Sequence, residues 1–141
     1  MTYVLAVDVG GTKTLFELSD ANGQATHKLK LDSQRFDTFD AILTAFIEQL
    51  SQSCVINIAC VALAGPVSGQ YGQVTKLPWK LDARVIEKQF SIERVILCND
   101  FEAVGYGIAG LADSEVETLQ AGEPNQSYPR VVLGAGTGLG Q

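Results

Sequence analysis

Within six residues, Asp8-Val9-Gly10-Gly11-Thr12-Lys13 brings together a carboxylate, two glycines, a hydroxyl and a cation. Glycines lack side chains, so a ligand can come close to the backbone N–H groups. Thr12 adds a hydroxyl donor and Lys13 a positive charge beside those amides. Such a set suits phosphate, and Asp8, at the end of an apolar run, is placed to meet a hydrated Mg²⁺. The same residues also read as a plain β-hairpin. Apolar runs Val4–Val9 and Thr14–Leu18 flank a Gly-Gly step, which supplies the positive-φ residues of a tight turn. On local grounds both readings stand.

A second candidate is Asn99-Asp100, directly after the apolar run Arg94–Cys98. In open α/β sheets, ligands gather at the carboxyl ends of strands. One reading is helix capping, with either side chain satisfying the first amides of the next helix. The other gives Asp100 a base's work. Phosphoryl transfer to an alcohol needs the hydroxyl oriented and its proton accepted, and a helix N-terminus favours the ionised carboxylate. The third candidate is Gly134-Ala135-Gly136-Thr137-Gly138-Leu139-Gly140. It is no dinucleotide fingerprint, since Leu139 stands where a glycine is required, and no Walker A loop, since no Gly-Lys precedes a Ser or Thr. Paired with Asp8–Lys13, it permits two β-turns that grip one polyphosphate between them.

These residues need elements to position them. After the first hairpin, Asp20–Gly23 signals a turn and Ala25–Leu31 a third strand, completing an antiparallel meander. Phe36, Phe39, Leu43, Phe46, Ile47 and Leu50 recur at helical spacing, which predicts a helix over Phe36–Ser51. Val55–Ala64 is almost continuously apolar, as a parallel strand covered on both faces should be. Gly65-Pro66 ends it, and a Gly-rich excursion, Val67–Trp79, follows. Asp82 is the expected N-cap of a helix through Phe90, with Val85, Ile86 and Phe90 on one side. Arg94–Cys98 reads as a buried strand, Phe101–Leu111 as a helix, Ala112–Pro129 as a linker and Val131–Leu133 as a new strand. The order βββαβαβα predicts an α/β fold, a mixed sheet flanked by helices. The expected organisation is a lobe over 1–111, a linker over 112–130 and the start of a second lobe over 131–141. A Gly-rich turn with no chain left to complete it suggests a piece of a longer protein.

The totals are compatible with this. A chain of 141 residues that is 46% apolar and 18% charged can bury one real core. The net charge of −6 and the lack of any basic run argue against nucleic acid or an anionic membrane as partner. The N-terminus has no basic leader, and the longest apolar run, Ile58–Ala64, is too short to span a bilayer. Cys54, Cys60 and Cys98 are odd in number and lack metal-ligand spacing, and His27 has no companion. They read as reduced cysteines of a cytoplasmic protein, two or more of them core filler, with Cys98 the one adjoining a candidate site.

Taken in order, AVDVGGTKT, ALAGPV, LPW, CNDFEAVGYGI and VVLGAGTGLG make the chain resemble the N-terminal part of the bacterial glucokinase family, within the hexokinase–actin–Hsp70 superfamily. The resemblance runs over essentially the whole chain. It implies a ribonuclease-H-like (actin-like ATPase) lobe and ATP-dependent phosphorylation of glucose or a related hexose, with Mg²⁺. Asp8, Val9, Gly10, Gly11, Thr12 and Lys13 would form the first phosphate loop, and Gly136, Thr137 and Gly138 the second. Asn99 and Asp100 would bind sugar hydroxyls, with Asp100 as base for the 6-hydroxyl, and Gly65 and Pro66 would line the sugar cleft. Lys76 stands where many relatives carry Asn. The later sugar-binding segments of the family are absent, so this chain alone is expected to be inactive and to self-associate as a homodimer. The rival readings are another sugar kinase of the superfamily, a non-catalytic sugar sensor, and an actin- or Hsp70-like ATPase module.

Overall fold

A computed structural model describes residues 2–50, 54–123, 125, 127–135 and 139–140. The chain divides into two units, Met1–Asp100 and Phe101–Gln141.

The first unit is built on a five-stranded sheet. The β1 strand (Tyr3–Val9) alternates, with Leu5, Val7 and Val9 buried and Ala6 and Asp8 exposed, so one face goes to the core. The β2 strand (Lys13–Asp20) does the same with Thr14, Phe16 and Leu18, and β3 (Ala25–Asp32) completes the antiparallel meander. Two further strands, β4 (Ile56–Leu63) and β8 (Arg94–Asn99), add in parallel, giving the order β3-β2-β1-β4-β8. The predicted mixed sheet is therefore the observed one.

The α1 helix (Phe39–Ile47) buries Phe39, Ile42, Leu43 and Phe46, and the Phe46 ring stacks on Phe16 at a 4.7 Å centroid distance. It starts three residues later than the spacing predicts. Thr38 caps it through Oγ1, which accepts from the Ala41 N–H at 3.1 Å, while Phe36 is extended and closes a 3₁₀ turn over Ser33–Arg35. In that conformation the Phe36 carbonyl is free to take the Trp79 indole N–H at 3.2 Å. The α2 helix (Ala83–Phe90) begins as expected, with Asp82 accepting from the N–H groups of Arg84 and Val85. Its buried residues are Ala83 and Ile86, whereas Val85 is exposed, contrary to the predicted apolar side.

The Gly-rich excursion folds as a small antiparallel sheet of β5 (Val67–Ser68), β6 (Tyr71–Gln73) and β7 (Lys80–Asp82). Its β6–β7 hairpin is pinned by Val74 and Trp79, both buried, with Trp79 packed edge-on against Phe39. The three cysteines are all free; Cys98 is buried, Cys54 is half-buried and packed against the core, and Cys60 is half-buried. Cys60 Sγ and Cys98 Sγ lie 4.0 Å apart.

The second unit holds most of α3 (Asp100–Ile108), a 3₁₀ turn (Asp113–Glu115) and two short antiparallel strands, β9 (Gly134–Ala135) and β10 (Leu139–Gly140). Val131–Leu133, expected as a strand, is irregular, and the pairing begins only at Gly134. Among the described residues no helix is long and apolar enough to cross a membrane.

Candidate active site

Three parallel strands end side by side. The register pairs Val9 with Leu63 and Leu63 with Asn99, so the carboxyl ends of β1, β4 and β8 are level. Asp8, the Gly10–Lys13 turn, Gly65, Pro66, Asn99 and Asp100 all follow from that alignment, and they come together at one edge of the first unit.

The Gly10–Lys13 turn is a hairpin, but its glycines are not there for positive φ. Among the described residues only Gly23, Gly69 and Ser91 adopt it. Glycine is required by close approach instead. A Cβ on Gly11 would lie 2.7 Å from Lys76 Cβ, and one on Gly10 would lie 2.9 Å from the Lys13 carbonyl oxygen. The Gly10 N–H donates to the Lys13 carbonyl at 3.0 Å and is consumed by the turn. The N–H groups of Gly11 and Thr12 have no partner among the described residues and are left for a ligand.

Ser33, which no sequence signal singled out, holds this turn from beneath. Its Oγ donates to the Gly10 carbonyl at 3.0 Å, its N–H donates to the Thr12 carbonyl at 2.9 Å, and Oγ also lies 2.9 Å from Thr14 Oγ1. Ser33 and Thr14 are the buried polar residues among the described residues. A buried serine reaching two turn carbonyls fixes the shape of the cradle, since losing either bond would strand a desolvated carbonyl. Val9 is buried and offers its carbonyl to the Ala64 N–H at 3.1 Å, which carries the β1–β4 pairing one residue further.

On the other side, Asn99 Nδ2 donates to the Gly65 carbonyl at 3.0 Å. A Cβ on Gly65 would strike the Gln73 carbonyl, so the turn after β4 can pass the β6 strand only as glycine. The exposed Pro66 accepts the Gln73 N–H at 3.1 Å. Asp100 is half-buried and opens α3. The Asp8 carboxyl is held above the usual carboxylate range, first by the protein atoms that crowd it although the residue as a whole is exposed, and second by the negative charge of Asp100. Two carboxylates that feel each other, beside the Gly11 and Thr12 amides and two lysines, bring charges of both signs to this edge.

Gly136, Thr137 and Gly138 lie outside the described residues. Next to them, Gly134–Ala135 pairs with Leu139–Gly140, and a Cβ on Gly134 would strike the Phe101 ring.

A sequence model of the glucokinase family matches residues 5–141. The chain belongs to the glucokinase family. It is 37% identical to the glucokinase of Nostoc punctiforme over 144 residues, covering all of this chain and 42% of that protein. It thus spans about two-fifths of the length of the curated relatives it matches. Among solved structures, a glucokinase from an Antarctic psychrotroph superposes with a TM-score of 0.71 at 24% identity, over 88% of this chain and 40% of that one. A ROK-family glucokinase from Streptomyces griseus, solved in complex with glucose and AMPPNP, gives a TM-score of 0.58 at 20% identity, over 74% of this chain and 35% of that one. The first unit accordingly has the ribonuclease-H-like fold of actin-like ATPases.

Proposed function

We propose that the kinase of which this chain forms part transfers the γ-phosphoryl group of ATP to the 6-hydroxyl of glucose. The observation that carries this reading is the level ending of β1, β4 and β8, which brings Asp8 and the Gly10–Lys13 turn to the same edge as Gly65, Asn99 and Asp100. Membership of the glucokinase family and the glucose and AMPPNP bound by the Streptomyces griseus protein support the choice of substrates.

In this reading the unpartnered N–H groups of Gly11 and Thr12, with Lys13, receive the phosphates, and Gly136, Thr137 and Gly138 are further phosphate-binding residues. Asn99 and the Gly65-Pro66 turn hold the sugar. Asp100 orients the 6-hydroxyl and takes its proton as the new P–O bond forms and ADP leaves. Asp8 fits a magnesium site of the kind that arrives on phosphates: it is one carboxylate at a strand end, and among the described residues no group of three or more His, Cys, Asp or Glu forms a protein cage. Asp8 would hold that metal, which would supply positive charge to offset that of the phosphates. A cytoplasmic homodimer that binds neither nucleic acid nor membrane belongs to the same reading, in keeping with the net charge of −6.

Turnover of a hexose panel by the full-length kinase with ATP and Mg²⁺ tests the proposal. Glucose is expected to give the highest kcat/KM. Clear preference for a different sugar would redirect the reading to another kinase of the superfamily, and sugar binding without turnover would make the protein a sensor.

A further inference from the structure

We infer that Lys76 is a further catalytic residue whose ammonium group contacts the γ-phosphoryl group during transfer; this rests on the reading of the Gly10–Lys13 turn as the phosphate site. Lys76 sits at the tip of the β6–β7 hairpin, and the tip is anchored at three points. The Val74 N–H donates to the Trp79 carbonyl at 3.1 Å, the Thr75 N–H to the Ala64 carbonyl at 3.0 Å, and the Trp79 indole to the Phe36 carbonyl at 3.2 Å. Two glycines admit this segment. Gly65 yields to the Gln73 carbonyl, and Gly11 yields to the Lys76 stem, whose Cβ, Cδ and Cγ lie 2.7, 3.1 and 3.4 Å from the place a Gly11 Cβ would take.

The hairpin tip is therefore threaded between the turn assigned to the sugar and the turn assigned to phosphate. Its lysine stem is laid along the latter, and the ammonium follows two bonds beyond Cδ. That ammonium is committed to nothing else: Lys76 is exposed and forms no hydrogen bond or ion pair among the described residues. The edge already holds the carboxylates of Asp8 and Asp100, whose charges oppose the approach of a polyphosphate. A cation carried on a stem packed against the phosphate turn offsets that opposition most when charge spreads over the transferring group.

The test uses the full-length kinase with Lys76→Met, which keeps an aliphatic stem on Gly11 and removes the charge, and Lys76→Arg, which restores it. Equilibrium titration is expected to show ADP affinity unchanged in Lys76→Met but AMPPNP affinity weakened about tenfold or more, the scale of a lost charge-assisted bond. Lys76→Met should also lose roughly 10²–10³-fold in kcat with little change in KM for glucose, and Lys76→Arg should recover much of both. Equal weakening toward ADP and AMPPNP would mean that the turn has been distorted, and a wild-type ratio with wild-type kcat would mean that the ammonium is idle; either overturns the inference. Should the wild-type kinase leave glucose unphosphorylated, the proposed function fails, while the AMPPNP-to-ADP ratio still decides the role of Lys76.

Discussion

Asn99 reaches across from the end of β8 to the turn after β4, its amide Nδ2 donating to the Gly65 carbonyl at 3.0 Å. The bond ties together two segments assigned to the sugar and fixes which way the Asn99 amide faces. Asn99→Asp replaces the donor with a second acceptor against the same carbonyl. The expected outcome is a KM for glucose raised about 10–100-fold, the range for a lost hydrogen bond to a half-buried partner. Steady-state kinetics on the full-length kinase checks this, and an unchanged KM would detach Asn99 from the sugar.

Asp100→Asn removes the proposed proton acceptor while keeping the shape of the side chain. Turnover is expected to fall roughly 10²–10⁴-fold, as for loss of a general base, with glucose affinity largely preserved. Rapid-quench turnover beside isothermal titration separates the two. Near-wild-type turnover would take Asp100 out of the mechanism.

Asp8 opposes the stability of the site it serves. Its folded pKa lies above the ordinary value because burial and then Asp100 penalise the charged form. The sign follows: below the unfolded pKa there is no penalty, and stability is lost as pH rises through the raised folded pKa. Asp8→Asn should therefore melt at a higher temperature than the metal-free wild type at neutral pH, and the advantage should vanish as pH falls through about 4. The same substitution should abolish Mg²⁺-dependent nucleotide binding. Thermal melts across pH, paired with titration of MgATP, test both halves; a variant less stable at neutral pH would contradict the sign.

Ser33→Ala leaves the carbonyl of Gly10 and the hydroxyl of Thr14 without their buried partner. The expected cost is about 1–3 kcal/mol of stability together with a raised KM for ATP and an unaltered KM for glucose. Denaturant melts and kinetics measure it, and a loss confined to the sugar side would show that Ser33 does not support the phosphate turn.

Much of this was legible in the residues, for reasons that differ by element. The meander, the parallel strands and the Asp82 cap each follow from local chemistry: alternation in β1 and β2, an unbroken apolar run in β4, and a carboxylate placed to accept two amides. Asn99-Asp100 was placed at a strand end by the apolar run before it, although the same position also suits a helix cap. What escaped was set at long range. The β6–β7 hairpin has strands of three residues, too short for periodicity, and it owes its place to Trp79 under Phe36 and Phe39. Phe36 fits helical spacing but is held extended by the cap at Thr38. The glycines of the phosphate turn were expected for ligand approach or for positive φ, and Gly11 answers also to a lysine 65 positions away. Ser33 is one serine among several until the fold puts it beneath Gly10.

The parallel pairing also favours an order of assembly. Strands β1, β2 and β3 meet through short turns, whereas Tyr3 must find Ile56 and Ile58 must find Arg94 across long intervening chain. Closing those loops costs entropy before any contact repays it, so the meander can form early while β8 docks late. Since Asp8 rides on the first strand and Asp100 follows the last, the two carboxylates become neighbours only when the sheet is complete. Trp79, the single tryptophan, is buried at the base of the hairpin that reaches this edge. Its fluorescence during refolding would report the moment at which a folded sheet becomes a formed site.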